Sequence, residues 1–220
     1  MHLTPRPLHP DQVHAGVIAE YRDVWDKDKI DNIINIVEQL HMDPNSNIKF
    51  NRATVLNSAD VKQGNTRESS ERTNSQIFIT ESAFNGNEDM RKLNNDFFDL
   101  VDSAVKSYVG IFNIMDRIYY NEGFNLLRYQ GGEYFDAHYD GGTGTGRCIS
   151  PILYLNDDYD GGEIDFINFG LKIKPKAGTL YLFPSNYAYS HIAHPVKSGT
   201  KYAIVTWLHD RMIQQPNANL

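Results

Sequence analysis

Residues 191–209, HIAHPVKSGTKYAIVTWLH, decide the fold class. Two runs rich in β-branched and aromatic residues flank Lys197-Ser198-Gly199-Thr200, which reads as a hairpin turn. On the return run a period of two puts Lys201, Ala203, Val205 and Trp207 on one face. Upstream, the same texture recurs in FNLLRYQ (124–130), EYFDAHY (133–139), ISPILYLN (149–156), EIDFIN (163–168), LKIKP (171–175) and TLYLFP (179–184). Short strand-like runs, spaced by roughly 8–12 residues and parted by Gly- or Asp/Asn-rich turns, predict an antiparallel sandwich or barrel rather than βαβ units.

Further outward the period changes. Ile30, Ile33, Ile34, Val37 and Leu40 make one apolar stripe of a helix that starts near Asp26 and stops at Asp43-Pro44-Asn45. Met90, Leu93, Phe97, Leu100, Val101, Ala104, Val105 and Tyr108 mark a second helix over about 87–108. Gln76–Thr80 reads as a strand. Residues 1–25, with Pro5, Pro7 and Pro10, read as an extended arm lying on the domain. Residues 57–75 are almost wholly polar and read as a long exposed loop, either a plain connection or a binding lid. The expected organisation is one domain over 1–220: the arm, a helical support over 26–112 that carries the polar loop, and a β core over 120–210.

Composition narrows the function classes. The chain has 220 residues, enough for a sizeable core. Its one cysteine, Cys148, excludes an intramolecular disulfide framework and any Cys-rich zinc module. A formal charge of −7 gives no general attraction for nucleic acid or anionic membrane. No apolar run is long enough to span a bilayer, and the first residues lack a signal-peptide core, so the expected compartment is the cytoplasm. Thirteen tyrosines lean towards β structure.

Of eight histidines, His138 stands out, because in His138-Tyr139-Asp140 an imidazole and a carboxylate two residues apart share a strand face. Asp136 stands at the same spacing on the other side, so parity alone leaves the choice of aspartate open. His191 and His194, three apart in a strand, point to opposite faces, so at most one can join His138. Two histidines and one carboxylate leave coordination positions open, the facial arrangement of non-haem iron(II) oxygenases. Lys201, on a face otherwise aromatic and aliphatic, calls for an anion, and the far carboxylate of a diacid would suit it.

The chain from Leu127 to Asp210 resembles the iron(II)- and 2-oxoglutarate-dependent dioxygenases, specifically the prolyl 4-hydroxylase-like group. The matching blocks are RYQGGEYFDAHYDGG, RCISPILYLNDDYDGGEIDF, IKPKAGTLYLFP and HIAHPVKSGTKYAIVTWL. Arg72–Ser75, RTNS, also resembles a block ahead of the core. The resemblance implies a mainly β fold with flanking helices around a double-stranded β-helix, or jelly roll. It implies His138, Asp140 and His191 as the metal ligands and Lys201 as the anchor for the 2-oxoglutarate C5 carboxylate, with His194 outside the ligand set. Tyr129 and Tyr154 match tyrosines that face the co-substrate, although barrel packing would equally explain them. Trp207 resembles a tryptophan near the site and is read here as core packing, and Gly161-Gly162-Glu163 as a structural turn.

Implied with these are iron(II), 2-oxoglutarate and dioxygen as cofactors and co-substrates, with ascorbate as an accessory reductant. The implied reaction is hydroxylation of a proline in a peptide or protein, coupled to decarboxylation of 2-oxoglutarate to succinate and CO2. Tyr134, Tyr139, Tyr187 and Tyr189 could line a groove for an extended proline-rich peptide or be ordinary strand residues. The rival readings are an oxygenase acting on another residue, a free amino acid or a nucleobase; a zinc hydrolase; and a non-catalytic metal-binding jelly-roll module.

Overall fold

The computed structural model describes residues 8–56, 66–67, 70–79, 87–114, 118, 120–142 and 145–210. In chain order its strands begin with β1 (Gln12–His14), β2 (Ile18–Tyr21), β3 (Asn51–Arg52), β4 (Val55–Leu56), β5 (Thr66–Arg67) and β6 (Ser75–Ile79). Then come β7 (Tyr120–Asn121), β8 (Phe124–Tyr129), β9 (Phe135–His138), β10 (Arg147–Tyr154), β11 (Asp160–Gly161) and β12 (Ile164–Phe166). The last are β13 (Leu171–Ile173), β14 (Thr179–Pro184), β15 (His191–Ala193), β16 (Val196–Ser198), β17 (Lys201–Val205) and β18 (Leu208–His209). Helix α1 spans Lys27–Met42 and α2 spans Glu88–Ile111. Among the described residues no helix is long and apolar enough to cross a membrane.

Both helices start where a side chain caps them. Asp26 accepts from the Lys29 amide at 2.8 Å and Asn87 from the Met90 amide at 3.0 Å, each satisfying an amide the helix leaves without a partner. The major sheet runs β1-β2-β14-β10-β17-β8-β6-β3, with β18 and β7 joined to it through β10. The minor sheet runs β13-β12-β15-β9, and all pairings are antiparallel. This is the expected mainly β architecture with flanking helices around a jelly-roll core.

Alternation along the major-sheet strands sorts two cores. Phe124, Leu126, Leu153, Leu180, Leu182 and Ile204 face the helices and meet Ile30, Val37, Met90, Phe97 and Val101. Leu127, Tyr129, Ile152, Tyr154, Tyr181, Phe183, Ala203 and Val205 face inward, towards the minor sheet's Ile164 and Phe166. Each fully buried side chain of this size stabilises by about 1.5–3 kcal/mol, so the helices are held mainly by this contact rather than by propensity.

Two expectations change, and a third lies in part outside the described residues. Within the N-terminal arm, of which residues 1–7 lie outside the described residues, β1 and β2 form a hairpin, and β2 extends the major sheet along β14. Ile18–Tyr21 is buried on both faces, and Tyr108 donates to the Val17 carbonyl at 2.8 Å, so the arm is part of the core. The turn at Lys197–Thr200 exists, with Gly199 at φ 79, but the strands it joins do not pair with each other. β16 pairs β11, whereas β17 lies between β8 and β10, so the turn is a corner between two sheets. In the polar stretch, residues 57–65 and 68–69 lie outside the described residues, and β5 pairs β4.

Candidate active site

The inner faces of the two sheets enclose a cavity with an empty volume of about 480 Å³, part of it open to solvent. The minor sheet and the turn after β9 bring His138, Asp140 and His191 to its wall. Their ligand atoms all lie within 4.8 Å of one another. Register explains the meeting: His138 on β9 stands directly opposite His191 on β15. Asp140 follows β9, where the chain turns at Gly141. A Cβ on Gly141 would lie 2.9 Å from the carbonyl oxygens of both Arg147 and Ser185, so only glycine allows that approach.

Both imidazoles are oriented by backbone carbonyls. A carbonyl can only accept, so Nδ1–H of His138 donates to Asp136 O at 2.8 Å and Nδ1–H of His191 to Tyr189 O at 3.0 Å. In the neutral form of either ring this tautomer leaves Nε2 as the lone-pair nitrogen, the arrangement of metal-ligating histidine. Burial, with His191 close by, holds the His138 imidazolium well below the ordinary histidine range, so the ring stays neutral. Burial alone would raise the Asp140 carboxyl, but His191, His138, a hydrogen bond from Ser150 and the Arg147 charge together outweigh it and lower it. Asp140 Oδ2 is buried with no hydrogen-bond partner among the described residues, an arrangement that stands uncompensated unless a cation meets it. The donor set therefore fits a divalent metal with open coordination positions.

The open choices are resolved by position. Asp136 is exposed and contributes only its backbone carbonyl. His194 turns away and pairs with Asp165 at 3.0 Å.

Lys201 lines the same cavity and is 2 % exposed, and its Nζ donates to the Gly162 carbonyl at 2.7 Å. The rings of Tyr129 and Tyr154 stand 5.3 and 5.0 Å from that ammonium. Burial, with Lys174 nearby and only partly offset by Glu163, pushes the Lys201 amine down to about 7. A cation held this reluctantly is a receptor for an anion. Trp207 also lines the cavity, and its Nε1 is buried without a partner among the described residues. The Arg147 guanidinium covers the Trp207 ring at 3.7 Å while donating to the Asp140 carbonyl at 3.2 Å.

Sequence reasoning assigned no role to two further lining residues, Arg72 and Phe135. The only sequence signal for Arg72 was the RTNS block. Conversely, Tyr134, Tyr139, Tyr187 and Tyr189 are not among the cavity's lining residues. Tyr139 and Tyr187 are exposed, Tyr189 packs beside the inner core, and Tyr134 donates to the Ser70 carbonyl.

Comparison with known proteins agrees with this geometry. Residues 124–209 match the model of the 2OG-Fe(II) oxygenase superfamily. The chain is 29% identical over 138 residues to prolyl 4-hydroxylase 13 of Arabidopsis thaliana, covering 50% of each chain. It is 28% identical over 210 residues to prolyl 4-hydroxylase subunit alpha-1 of Rattus norvegicus, covering 88% of this chain and 36% of that one. The chain thus spans half or less of the length of these curated relatives. Among solved structures, a prolyl hydroxylase from Trichoplax adhaerens, in complex with a hypoxia inducible factor peptide fragment, superposes with a TM-score of 0.70. That match covers 89% of this chain and 84% of the other at 20% identity. A viral collagen prolyl hydroxylase from Paramecium Bursaria Chlorella virus-1 gives 0.61 at 21% identity, over 88% and 96% of the two chains. At such identities the structural likeness is one of fold. Residues 124–209 thus match the 2OG-Fe(II) oxygenase superfamily, and the chain is similar to prolyl hydroxylases in sequence over part of its length and in fold.

Proposed function

We propose that this protein is an iron(II)- and 2-oxoglutarate-dependent dioxygenase that hydroxylates a proline in a peptide or protein. The observation that carries the reading is one cavity lined both by a His-Asp-His cluster and by a buried lysine that faces no carboxylate in it other than Asp140. His138, Asp140 and His191 would hold iron(II), and Lys201 would take the distal carboxylate of 2-oxoglutarate, steadied by the Tyr129 and Tyr154 phenols. Iron(II) with 2-oxoglutarate and dioxygen supplies the oxidising power, with succinate and CO2 as co-products and one oxygen atom delivered to a C–H bond.

The chain's own residues supply orientation, charge and dryness. The carbonyls of Asp136 and Tyr189 keep both Nε2 lone pairs directed at one point. Lys201 fixes the far end of a diacid, and the surrounding Leu127, Ile152, Ala203 and Val205 exclude water from it. Trp207 Nε1–H has no partner among the described residues and is free to donate to a bound polar group in the cavity. The proline assignment follows the relatives, whose names are those of prolyl hydroxylases. A zinc hydrolase would leave Lys201 without a role, and no glutamate lines the cavity among the described residues to serve as its base. A nucleobase substrate suits the net charge of −7 poorly.

The test supplies iron(II), 2-oxoglutarate and oxygen with a panel of proline-containing peptides, free amino acids and nucleobases. Succinate release and the substrate mass are both read. A proline peptide should stimulate succinate release and gain one oxygen; stimulation by another member of the panel would replace the proline assignment. No consumption of 2-oxoglutarate under any condition would leave a metal-binding module.

A further inference from the structure

The outer side of the metal cluster is built by a segment far away in sequence. Ser70–Asn74 runs alongside the start of β9: Asp136 N–H donates to Glu71 O at 2.8 Å and Thr73 N–H to Tyr134 O at 3.0 Å. Tyr134 N–H closes the register on Thr73 Oγ1 at 2.9 Å, and Arg72 bridges Phe135. The segment is a strap on the strand that carries His138.

β9 itself is bulged. His138 pairs with His191 and Phe135 with Ala193, so three steps on β9 match two on β15. Strict alternation would send Phe135 and His138 to opposite faces; a bulge re-aims a side chain, and here both reach the cavity. The Phe135 ring lies flat on the His138 imidazole, with centroids 3.5 Å apart and planes 13° apart. The Arg72 guanidinium covers Phe135, 4.8 Å from its centroid. Arg72 is in turn fixed by Asn74 Oδ1 at 3.0 Å, Gln76 Oε1 at 2.9 Å and Thr54 O at 3.3 Å.

The His138 side chain is 19% exposed, and its single hydrogen bond from Nδ1 sets the ring's direction while leaving it some freedom of tilt. A flat aromatic partner removes this freedom. We propose that Phe135, braced by Arg72, is a positioning residue that fixes the plane of His138, so that the seating of the 70–74 strap and divalent-metal affinity are coupled. The proposal rests on the reading of His138 as a metal ligand. Coupling is reciprocal, so metal should in turn protect the two amides that join strap and β9, those of Thr73 and Asp136.

The test uses cobalt(II) as the probe, on the full chain stripped of metal, without turnover. Affinity and the visible cobalt spectrum are read for wild type, Phe135→Leu, Phe135→Tyr, Arg72→Met and His138→Ala, with circular dichroism melts as the check on folding. Loss of an outer partner of a metal-ligating histidine weakens metal binding by about 10–100-fold, and Phe135→Leu should fall at the lower end with an altered spectrum. Phe135→Tyr, which keeps a flat ring, should restore both, and Arg72→Met should give a smaller loss in the same direction. Hydrogen exchange at Thr73 and Asp136 should slow on adding cobalt to wild type and not to His138→Ala. Wild-type affinity and spectrum in both Phe135→Leu and Arg72→Met would overturn the proposal while leaving the metal site standing. Cobalt binding by His138→Ala as tight as wild type would instead overturn the ligand reading, and this proposal with it.

Discussion

The two faces of the major sheet are made by the same strands and bury opposite kinds of chemistry. On β17, Tyr202 and Ile204 face the helices, whereas Lys201, Ala203 and Val205 face the cavity. The helix-facing core is continuous and apolar, with Phe97 against Phe124 at 5.2 Å between ring centroids. The cavity-facing side holds a lysine at 2 % exposure and an aspartate oxygen without a partner, groups that oppose folding unless a ligand meets them. One face therefore supplies stability, and the other spends part of it on a preorganised site.

That division can be broken by substitution. The largest effect is expected from His191→Ala, which should reduce substrate-stimulated succinate release to background while the melting curve is kept; loss of fold instead would assign His191 to the structural side. Next is Lys201→Met. A hydrogen bond to a charged group contributes about 1.5–3 kcal/mol, so 2-oxoglutarate affinity measured by calorimetry should fall roughly tenfold to hundredfold. The same change removes a buried charge, so the protein without ligand should melt higher, not lower.

Titration sharpens the contrast further. Lys201 must be protonated to receive a carboxylate, and its amine stands at about 7 in the free protein. Affinity for 2-oxoglutarate should therefore be flat below that pH and fall by up to about tenfold per pH unit above it. The sign for stability is opposite. Above about 7 the folded Lys201 has lost a proton that the unfolded chain keeps until about 10.5, so this group makes the free protein more stable as pH rises between them. In Lys201→Arg the affinity profile should be flat, because guanidinium stays charged. The smallest effect belongs to the helix-facing side: Ile204→Val should cost about 0.5–1.5 kcal/mol in denaturant unfolding and leave the KM for 2-oxoglutarate unchanged. A changed KM would show that the two faces are not independent.

Period-two alternation made much of this legible. Parity placed Lys201 with Ala203, Val205 and Trp207, and His138 with Asp140, and all of these line the cavity. The choice between Asp136 and Asp140 was not legible, because it depends on the bulge in β9 and on the close approach at Gly141. The stack of Arg72 on Phe135 was hidden for a related reason: it needs a pairing between segments far apart in the chain, which no local pattern records. The N-terminal hairpin escaped notice because Ile18–Tyr21 is covered on both faces and so carries no alternation. At Lys197–Thr200 the turn residues were readable, but turn chemistry does not say that the two strands part into different sheets.

The most direct test of a cavity that serves metal and diacid together is a crystal structure grown without oxygen, with manganese(II) and 2-oxoglutarate. The expected result is one metal ion within about 2.0–2.2 Å of His138 Nε2, His191 Nε2 and an Asp140 oxygen, with the distal carboxylate on Lys201 Nζ. A metal held by other residues, or a carboxylate that leaves Lys201 bonded only to the Gly162 carbonyl, would contradict it.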